Sequence, residues 1–329
     1  MDLTTSQCNV PVLSVQVKLT PQAEEMVVYV PNTGSMLNLV PPHLTDPLCV
    51  LSVAPANSKR KYQHTVEMIQ VNQTYVGIHS ALANKMVLNA LNMDLIPELS
   101  GFCSIRQEVT VKEPDEDPQH PSNHKKLTNK SKTTCKKFKK TEKKQEVGSR
   151  IDFELLFSSS TCSIVRSDAT REKASTSSTK KRKYSAGSSI KHETTPEDDE
   201  NLGDISQRML VEVKSVTLAP CDIITNADAE DSEQQQQERV AEFPDSVSVR
   251  AKKHAECLTR HVRSGGRAAL LFLIQRDDCT AFMISPLDAA YKEAVREAEA
   301  AGVLILPYVC RLCPLAGVVE LVEKVPFLG

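Results

Sequence analysis

The chain is predicted to fold as two domains of different class: a small all-β barrel or sandwich, then an α/β domain with a partly parallel sheet. Three observations lead there. Five short strand-like runs crowd into residues 9–79, whereas the second half alternates strand-like and helix-like runs. The length of 329 residues, 40% of them hydrophobic, supports about two cores of ordinary size.

The N-terminal strands are "VPVLSVQVKL", "EMVVYV", "LCVLSVA", "HTVEMIQV" and "TYVGIH". Turn signals such as "PNTG" and "PANSK" separate them, and spacing this tight suits a small closed or sandwiched sheet. Residues 80–96 then change period. Ser80 reads as an N-cap, Leu82, Met86, Val87, Ala90 and Leu91 recur at helical spacing, and Pro97 comes after them. This helix is expected either to plug the barrel or to link it to the second domain.

Beyond it, "IDFELLF" (151–157) and "RMLVEVKSVTL" (208–218) read as strands, and 245–263 as a helix. "RAALLFLIQ" (267–275) reads as a buried strand, 286–301 as a helix closed by Gly302, and "VLILPYVCRL" (303–312) as a last strand. Strand, helix, strand, helix, strand is the order of an α/β sheet with parallel pairs.

The formal charge of −2 hides a block structure. Residues 125–144 hold ten Lys and one Glu, and residues 171–192 hold seven Lys or Arg and one Glu. Acidic runs come next, in "ETTPEDDENLGD" and around "DAEDSEQQQQE". Polar, like-charged blocks cannot bury enough apolar surface to fold, so they read as disordered insertions in a compact core. The resulting division is a barrel over 1–79, a linking helix and the start of the second domain over 80–111, and a basic insertion over 112–147. The second domain runs over 148–329, with insertions at about 165–204 and 222–241.

Several classes drop out. No run of about 18 apolar residues exists to span a membrane. The opening "MDLTTSQCNV" has neither a basic n-region nor an apolar h-region, so no secretory signal is apparent. Location is otherwise left between cytoplasm and nucleus; "KKRK" (180–183) fits an import signal, a permissive pattern. The low-complexity insertions favour a eukaryotic source. Trp is absent and aromatics are 4%, so stacking platforms for single strands are sparse. "CRLC" (310–313) is half a zinc motif with no second half at suitable spacing, and it sits in a strand-like run. The oligomeric state is left open.

One constellation carries chemistry. Glu212 and Lys214 are two apart on a strand and so share a face. Asp152 lies on the neighbouring strand, and Arg250, Lys253 and His254 lie on the next helix. Two carboxylates can hold a hard Mg²⁺ or Mn²⁺ through oxygen, with the backbone carbonyl of Val213 completing the shell. Lys214 would stabilise charge on a phosphate, and the helix would present basic groups to a phosphate backbone. The same Glu-x-Lys pair also suits a purely structural ion pair.

These runs resemble the sugar fermentation stimulation protein (SfsA) family. The matching stretches are "PNTGSML", "SKRKYQHTVEMIQV", "ALAN", "LIPELSGF", "GSRIDFELL", "VEVKSVTL", "FPDSVSVRAKKHAECL" and "AGVLILPYVCRL", in order along nearly all the ordered chain. The resemblance implies an OB-type barrel followed by a PD-(D/E)xK nuclease-like domain, non-specific DNA binding and a regulatory role in sugar metabolism. An active Mg- or Mn-dependent nuclease, acting on DNA or RNA, is the alternative. It places the metal and catalytic residues at Asp152 and Glu212, with Lys214 as the catalytic lysine. Phe243, Asp245, Arg250, Lys253 and His254 stand near that site, and Arg150 joins the basic set. On the barrel it marks Asn32, Thr33, Gly34, Ser35 and Met36, and the basic loop Lys59, Arg60, Lys61 and Tyr62.

At the level of the residues alone, "PNTGSM" is a tight turn whose amides could also cradle a phosphate. "NSKRKY" is a solvated loop that also suits phosphate contact with one stacked base. The chain departs from the family pattern in three places. The opening lacks the basic run of the family's first strand, and His79 and Ser80 replace Asn-Thr before "ALAN". About fifty extra residues separate Asp152 from Glu212, which loop-closure entropy tolerates because it grows only logarithmically.

Overall fold

A computed structural model describes residues 14–17, 24–32, 36, 39, 48–71, 73–112, 148–158, 204–220 and 239–329. The expected insertions lie almost wholly outside the described residues.

All five N-terminal strands form: β1 (Ser14–Val17), β2 (Met26–Tyr29), β3 (Cys49–Val53), β4 (His64–Val71) and β5 (Thr74–Gly77). β4 is the hub. It pairs antiparallel with β3 along most of its length, meets β2 at Thr65 and pairs antiparallel with β5 over Met68–Val71. One long strand serving three partners curls the sheet around Val28, Val30, Leu39, Val66, Ile69, Val71, Val76 and Ile78. The alternation read in the sequence supplies this inward face.

The next segment corrects two expectations. Residues 80–82 form a 3₁₀ turn, and α1 runs over Ala83–Asn92. Ser80 does not cap it; its hydroxyl reaches back to the carbonyl of Pro31 at 3.3 Å. Nor does α1 plug the barrel. Ala83, Val87, Ala90 and Leu91 pack on the second sheet with Phe153, Leu155, Met209 and Val211.

The second sheet has six strands in the order β13 (Val318–Lys324), β12 (Leu304–Cys313), β10 (Arg267–Ile274), β8 (Arg208–Val216), β7 (Gly148–Leu156) and β6 (Ser104–Lys112). β10 runs parallel to β8 and β12; the outer pairs are antiparallel. Central β10 is almost wholly buried, as its unbroken apolar run requires. α2 (Val249–Arg263) and α3 (Ala289–Ala301) cover the face opposite α1, over a core that includes Leu210, Leu258, Phe272 and Tyr291.

Both helices start at dedicated caps. Ser248 Oγ accepts from the amide of Ala251 at 3.1 Å, and Asp288 Oδ1 from that of Tyr291 at 2.9 Å. α3 ends at Gly302, φ 102°, the left-handed position that favours glycine. Both helices start three or four residues later than the periodicity predicts, because the capping residues come after extended segments.

Four strands escape sequence reading: β6, β13, and the parallel pair β9 (Val240–Phe243) and β11 (Ala281–Ile284). β9 overlaps the end of the insertion expected at 222–241. A four-residue strand directly after a Gln-rich run carries too little periodicity to be separated from it. Cys310 and Cys313, both free, end strand β12, as expected of strand residues.

Barrel and sheet meet at the end of β5. The amide of Gly77 donates to the carbonyl of Gln275 at 2.9 Å, and Gln275 Nε2 donates to Ser215 Oγ at 2.6 Å. A Cβ at Gly77 would stand 2.5 Å from Gln275 Oε1, so only glycine allows this approach.

Candidate functional site

The site is built where β7 and β8 part. The two strands pair from Leu156/Arg208 to Phe153/Val211 and no further. Just beyond, the freed amide of Val213 donates to Asp152 Oδ2 at 2.8 Å, while Asn84 Nδ2 of α1 donates to Asp152 Oδ1 at 2.7 Å. On the other side of β7, the β6 register skips the position facing Asp152. Glu108 there has φ 55°, an uncommon conformation for a non-glycine residue. The distortion turns β7 over, so Ile151 packs with the α2–α3 side and Phe153 with the α1 side. Asp152 sits at the turnover point.

Glu212 and Lys214 lie on the α2 side of β8, as period 2 requires. Lys214 Nζ donates to Glu212 Oε1 at 2.7 Å, and His254 Nδ1 donates to the same oxygen. Glu212 Oε2 is buried and has no hydrogen-bond partner. Burial acts to raise the Glu212 pKa, but the His254 hydrogen bond and the Lys214 charge outweigh it and hold the group below its usual range. Asp152 goes the other way. Burial, and then the charge of Glu212, raise it against the pull of its two hydrogen bonds. The two carboxylates therefore feel one another.

His254 links this buried set to the surface. It also lines a cleft of about 620 Å³ with Gly148, Ser149, Arg150, Val249, Arg250 and Lys253. All four basic residues expected from β7 and α2 thus meet in one cleft, across a hundred positions of sequence. Arg150 also lies 3.6 Å from Glu108, an exposed pair of little energetic weight.

A second, smaller cleft of about 180 Å³ lies between barrel and sheet. It gathers Asn32 from the barrel, Ser215 and Thr217 from the end of β8, and Phe243, Asp245 and Ser248 from the segment leading into α2. Phe243 also packs against the rings of Phe272 and Tyr291, with centroids 5.7 and 5.6 Å away. Met36, at φ 53°, packs on the barrel core, while Thr33, Gly34 and Ser35 lie outside the described residues. Lys59, Arg60, Lys61 and Tyr62 sit on the β3–β4 loop and line neither cleft; Lys61 Nζ stands 4.9 Å from the centre of the Tyr62 ring.

Two family models match this chain. The "SfsA N-terminal OB domain" covers residues 13–78, and the "Sugar fermentation stimulation protein RE domain" covers residues 167–315. The chain belongs to the sugar fermentation stimulation protein family. A homolog from Thioalkalivibrio sulfidiphilus is 29% identical over 307 residues, covering 93% of this chain and 87% of its own length. One from Bartonella quintana is 28% identical over 286 residues, covering 87% of this chain and 80% of its own. Both relatives are bacterial, so they lend the expected eukaryotic source no support. The solved structure of Pyrococcus furiosus SfsA in complex with Ca²⁺ has a TM-score of 0.54 at 15% identity, covering 95% of this chain and 94% of that one. The fold is accordingly an OB-type barrel followed by the family's C-terminal domain, with mixed sheets and few helices.

Within this member of the family, Asn84 is the site residue that sequence reasoning passed over. Its signal was present, since it closes the "ALAN" stretch that carries the resemblance. Nothing local said that its amide would meet Asp152, 68 positions away.

Proposed function

We propose that this protein binds DNA through its phosphate backbone in the cleft between β7 and α2, largely without regard to sequence, and holds a divalent cation between Asp152 and Glu212. One observation carries the reading: His254 both lines the basic cleft and hydrogen-bonds the buried carboxylate of Glu212. Phosphates held by Arg150, Arg250 and Lys253 would lie next to the acidic pair.

The residues fit a hard cation. Glu212 offers a buried oxygen without a partner, and an unsatisfied buried acceptor is costly unless something positive meets it. Amide and carbonyl of one strand residue leave by the same edge, so the Val213 carbonyl faces Asp152 as its amide does. Among the described residues no three His, Cys, Asp or Glu side chains form a ready cage. Mg²⁺ and Mn²⁺ do not need one, since they take one or two carboxylates and keep several waters. The Ca²⁺ of the Pyrococcus furiosus relative is likewise an oxygen-seeking ion. When bound, such an ion would supply Lewis-acid polarisation of a phosphoryl oxygen.

Lys214 favours cleavage as a second reading. Its ammonium lies against Glu212, half-buried, in position to stabilise charge developing on a phosphate. His254 holds Glu212 ionised, and Asn84 with the Val213 amide fixes the rotamer of Asp152.

Fluorescence anisotropy tests the binding. With three phosphate contacts, at Arg150, Arg250 and Lys253, affinity for a DNA duplex should fall by about 40-fold between 50 and 200 mM salt. Neutralising Arg250 and Lys253 together should lower the slope of log affinity against log salt by about 2. Salt-insensitive binding, or no binding to any nucleic acid, defeats the reading. Cleavage is assayed on plasmid, single-stranded DNA and RNA with Mg²⁺ or Mn²⁺, beside a Glu212→Gln control. Loss in the control supports chemistry, and equal cutting in both marks a contaminant.

A further inference from the structure

We propose that Val247, Val249 and Leu287 form an apolar ridge that packs against unstacked bases, so that this protein prefers distorted or unpaired DNA to intact duplex. The inference rests on the DNA-binding reading above and names the substrate class for it.

These side chains are 72%, 68% and 50% exposed, and Val249 among them lines the charged cleft itself. Their placement is held by a hydrogen bond, since the amide of Ser248 donates to Asp288 Oδ2 at 2.8 Å and clamps the start of α2 to the start of α3. Leu287 thus precedes one partner of that hydrogen bond, and the two valines flank the other. Ser248 is extended, φ −131° and ψ 93°, so its flanking side chains leave the chain on one side. Ser248 turns its own hydroxyl inward to cap α2.

The ridge also stands in a telling place. Ser246 and Ser248 line the small cleft against the barrel, while Val249, Arg250 and Lys253 line the basic cleft. A strand crossing from barrel to basic cleft would pass over the ridge with its phosphates on Arg250 and Lys253. An apolar partner alone would gain nothing from those flanking cations, whereas a nucleic acid presents both charges and base faces. Aliphatic wedges beside basic side chains are a known means of prying base steps apart.

The test compares an intact duplex with the same duplex carrying a short unpaired bulge, with 2-aminopurine beside the bulge. The wild-type protein should bind the bulged duplex about 10-fold more tightly, because the unstacking cost is already met there, and should raise the 2-aminopurine fluorescence. The triple variant Val247→Ser, Val249→Ser, Leu287→Ser should lose that preference. The double variant Val247→Ser, Leu287→Ser should keep the wild-type salt slope, since it removes no charge and leaves the lining of the basic cleft untouched. Leu287→Ser alone, on a short loop, should lose part of it and guards against misfolding of the triple variant. Equal wild-type binding to both duplexes, or a preference that survives the triple variant, overturns the ridge and leaves backbone binding standing. Absence of any DNA binding overturns both. Dimerisation or vesicle binding that the triple variant abolishes, without a DNA preference, assigns the patch elsewhere and overturns the inference.

Discussion

At the scale of single residues, a buried arginine and its half-buried carboxylate partner define what the domain tolerates. Arg276 is fully buried, and its guanidinium makes paired hydrogen bonds to Asp278 at 2.6 and 2.7 Å and a third to the carbonyl of Thr217 at 3.1 Å. Burial acts to raise the Asp278 pKa, but the Arg276 hydrogen bonds and charge prevail and hold it below the usual carboxylate range. A lowered folded-state pKa means that the ionised form is favoured by folding. The stabilisation is fully present above the ordinary Asp value and is lost as pH falls through the lowered one. As pH falls below about 4, the wild-type melting temperature should therefore drop more steeply than that of Asp278→Asn. At pH 7 the variant should be less stable by about 3 kcal/mol, because Arg276 stays buried without its counter-charge. Denaturant melts across that pH range check both statements.

Asn84 is the second residue with a sharp expectation. Its amide fixes one oxygen of Asp152, whose other oxygen is fixed by the Val213 amide. Asn84→Ala should lower Mn²⁺ affinity by about 10- to 100-fold, as loss of an outer hydrogen bond to a ligand usually does. Titration followed by electron paramagnetic resonance reads this without any turnover assay, and unchanged affinity would deny Asp152 a ligand role.

At the scale of elements, the informative device is Asp288. One carboxylate caps α3 through the Tyr291 amide and holds the start of α2 through the Ser248 amide. Asp288→Ala should cost about 2 kcal/mol, a lost cap with a stranded buried amide added. Asp288→Asn, which keeps an oxygen acceptor, should recover most of that in a thermal melt. A matching loss of bulged-duplex preference in Asp288→Ala would be expected from the loosened ridge.

Elements were legible in proportion to their length and periodicity. β4, β7, β8 and α2 announced themselves through patterns of two or of three to four, and β10 through its unbroken apolar run. Four-residue β9 and β11 did not. β1, β2 and β5 are as short, but they belong to a closely spaced series of strand-like runs. By contrast, β9 directly follows a Gln-rich run and β11 stands alone. β13 escaped for another reason: nearly all its residues are exposed at the sheet edge, so no buried face imposes alternation. The caps Ser248 and Asp288 went unread, and the sequence reading began both helices three or four residues too early.

At the scale of the whole molecule, the barrel and the second domain meet at Gly77, whose amide donates to the carbonyl of Gln275. Gly77→Ala would push a methyl into Gln275, whose side chain is buried and already committed to Ser215. The variant should lose about 1–3 kcal/mol, as overpacking commonly does. Limited proteolysis should cut between barrel and sheet sooner than in the wild type. The same substitution should leave the salt slope of DNA binding intact if the basic cleft carries the phosphates, and reduce it if the Lys59–Tyr62 loop shares them.

By itself the sequence determined most of the strands and the three α-helices to within a few residues at their ends, and that Glu212 and Lys214 share a face two positions apart. It also placed Asp152 on a neighbouring strand and the basic residues on the helix after β9. These features come from local sterics and from periods of two and 3.6, which any stretch of chain carries with it. Only the tertiary structure decided that β7 leaves β8 at Asp152, that Asn84 reaches it from α1, and that His254 closes on Glu212. Contacts between groups dozens of positions apart depend on how whole faces pack, and no local pattern encodes them.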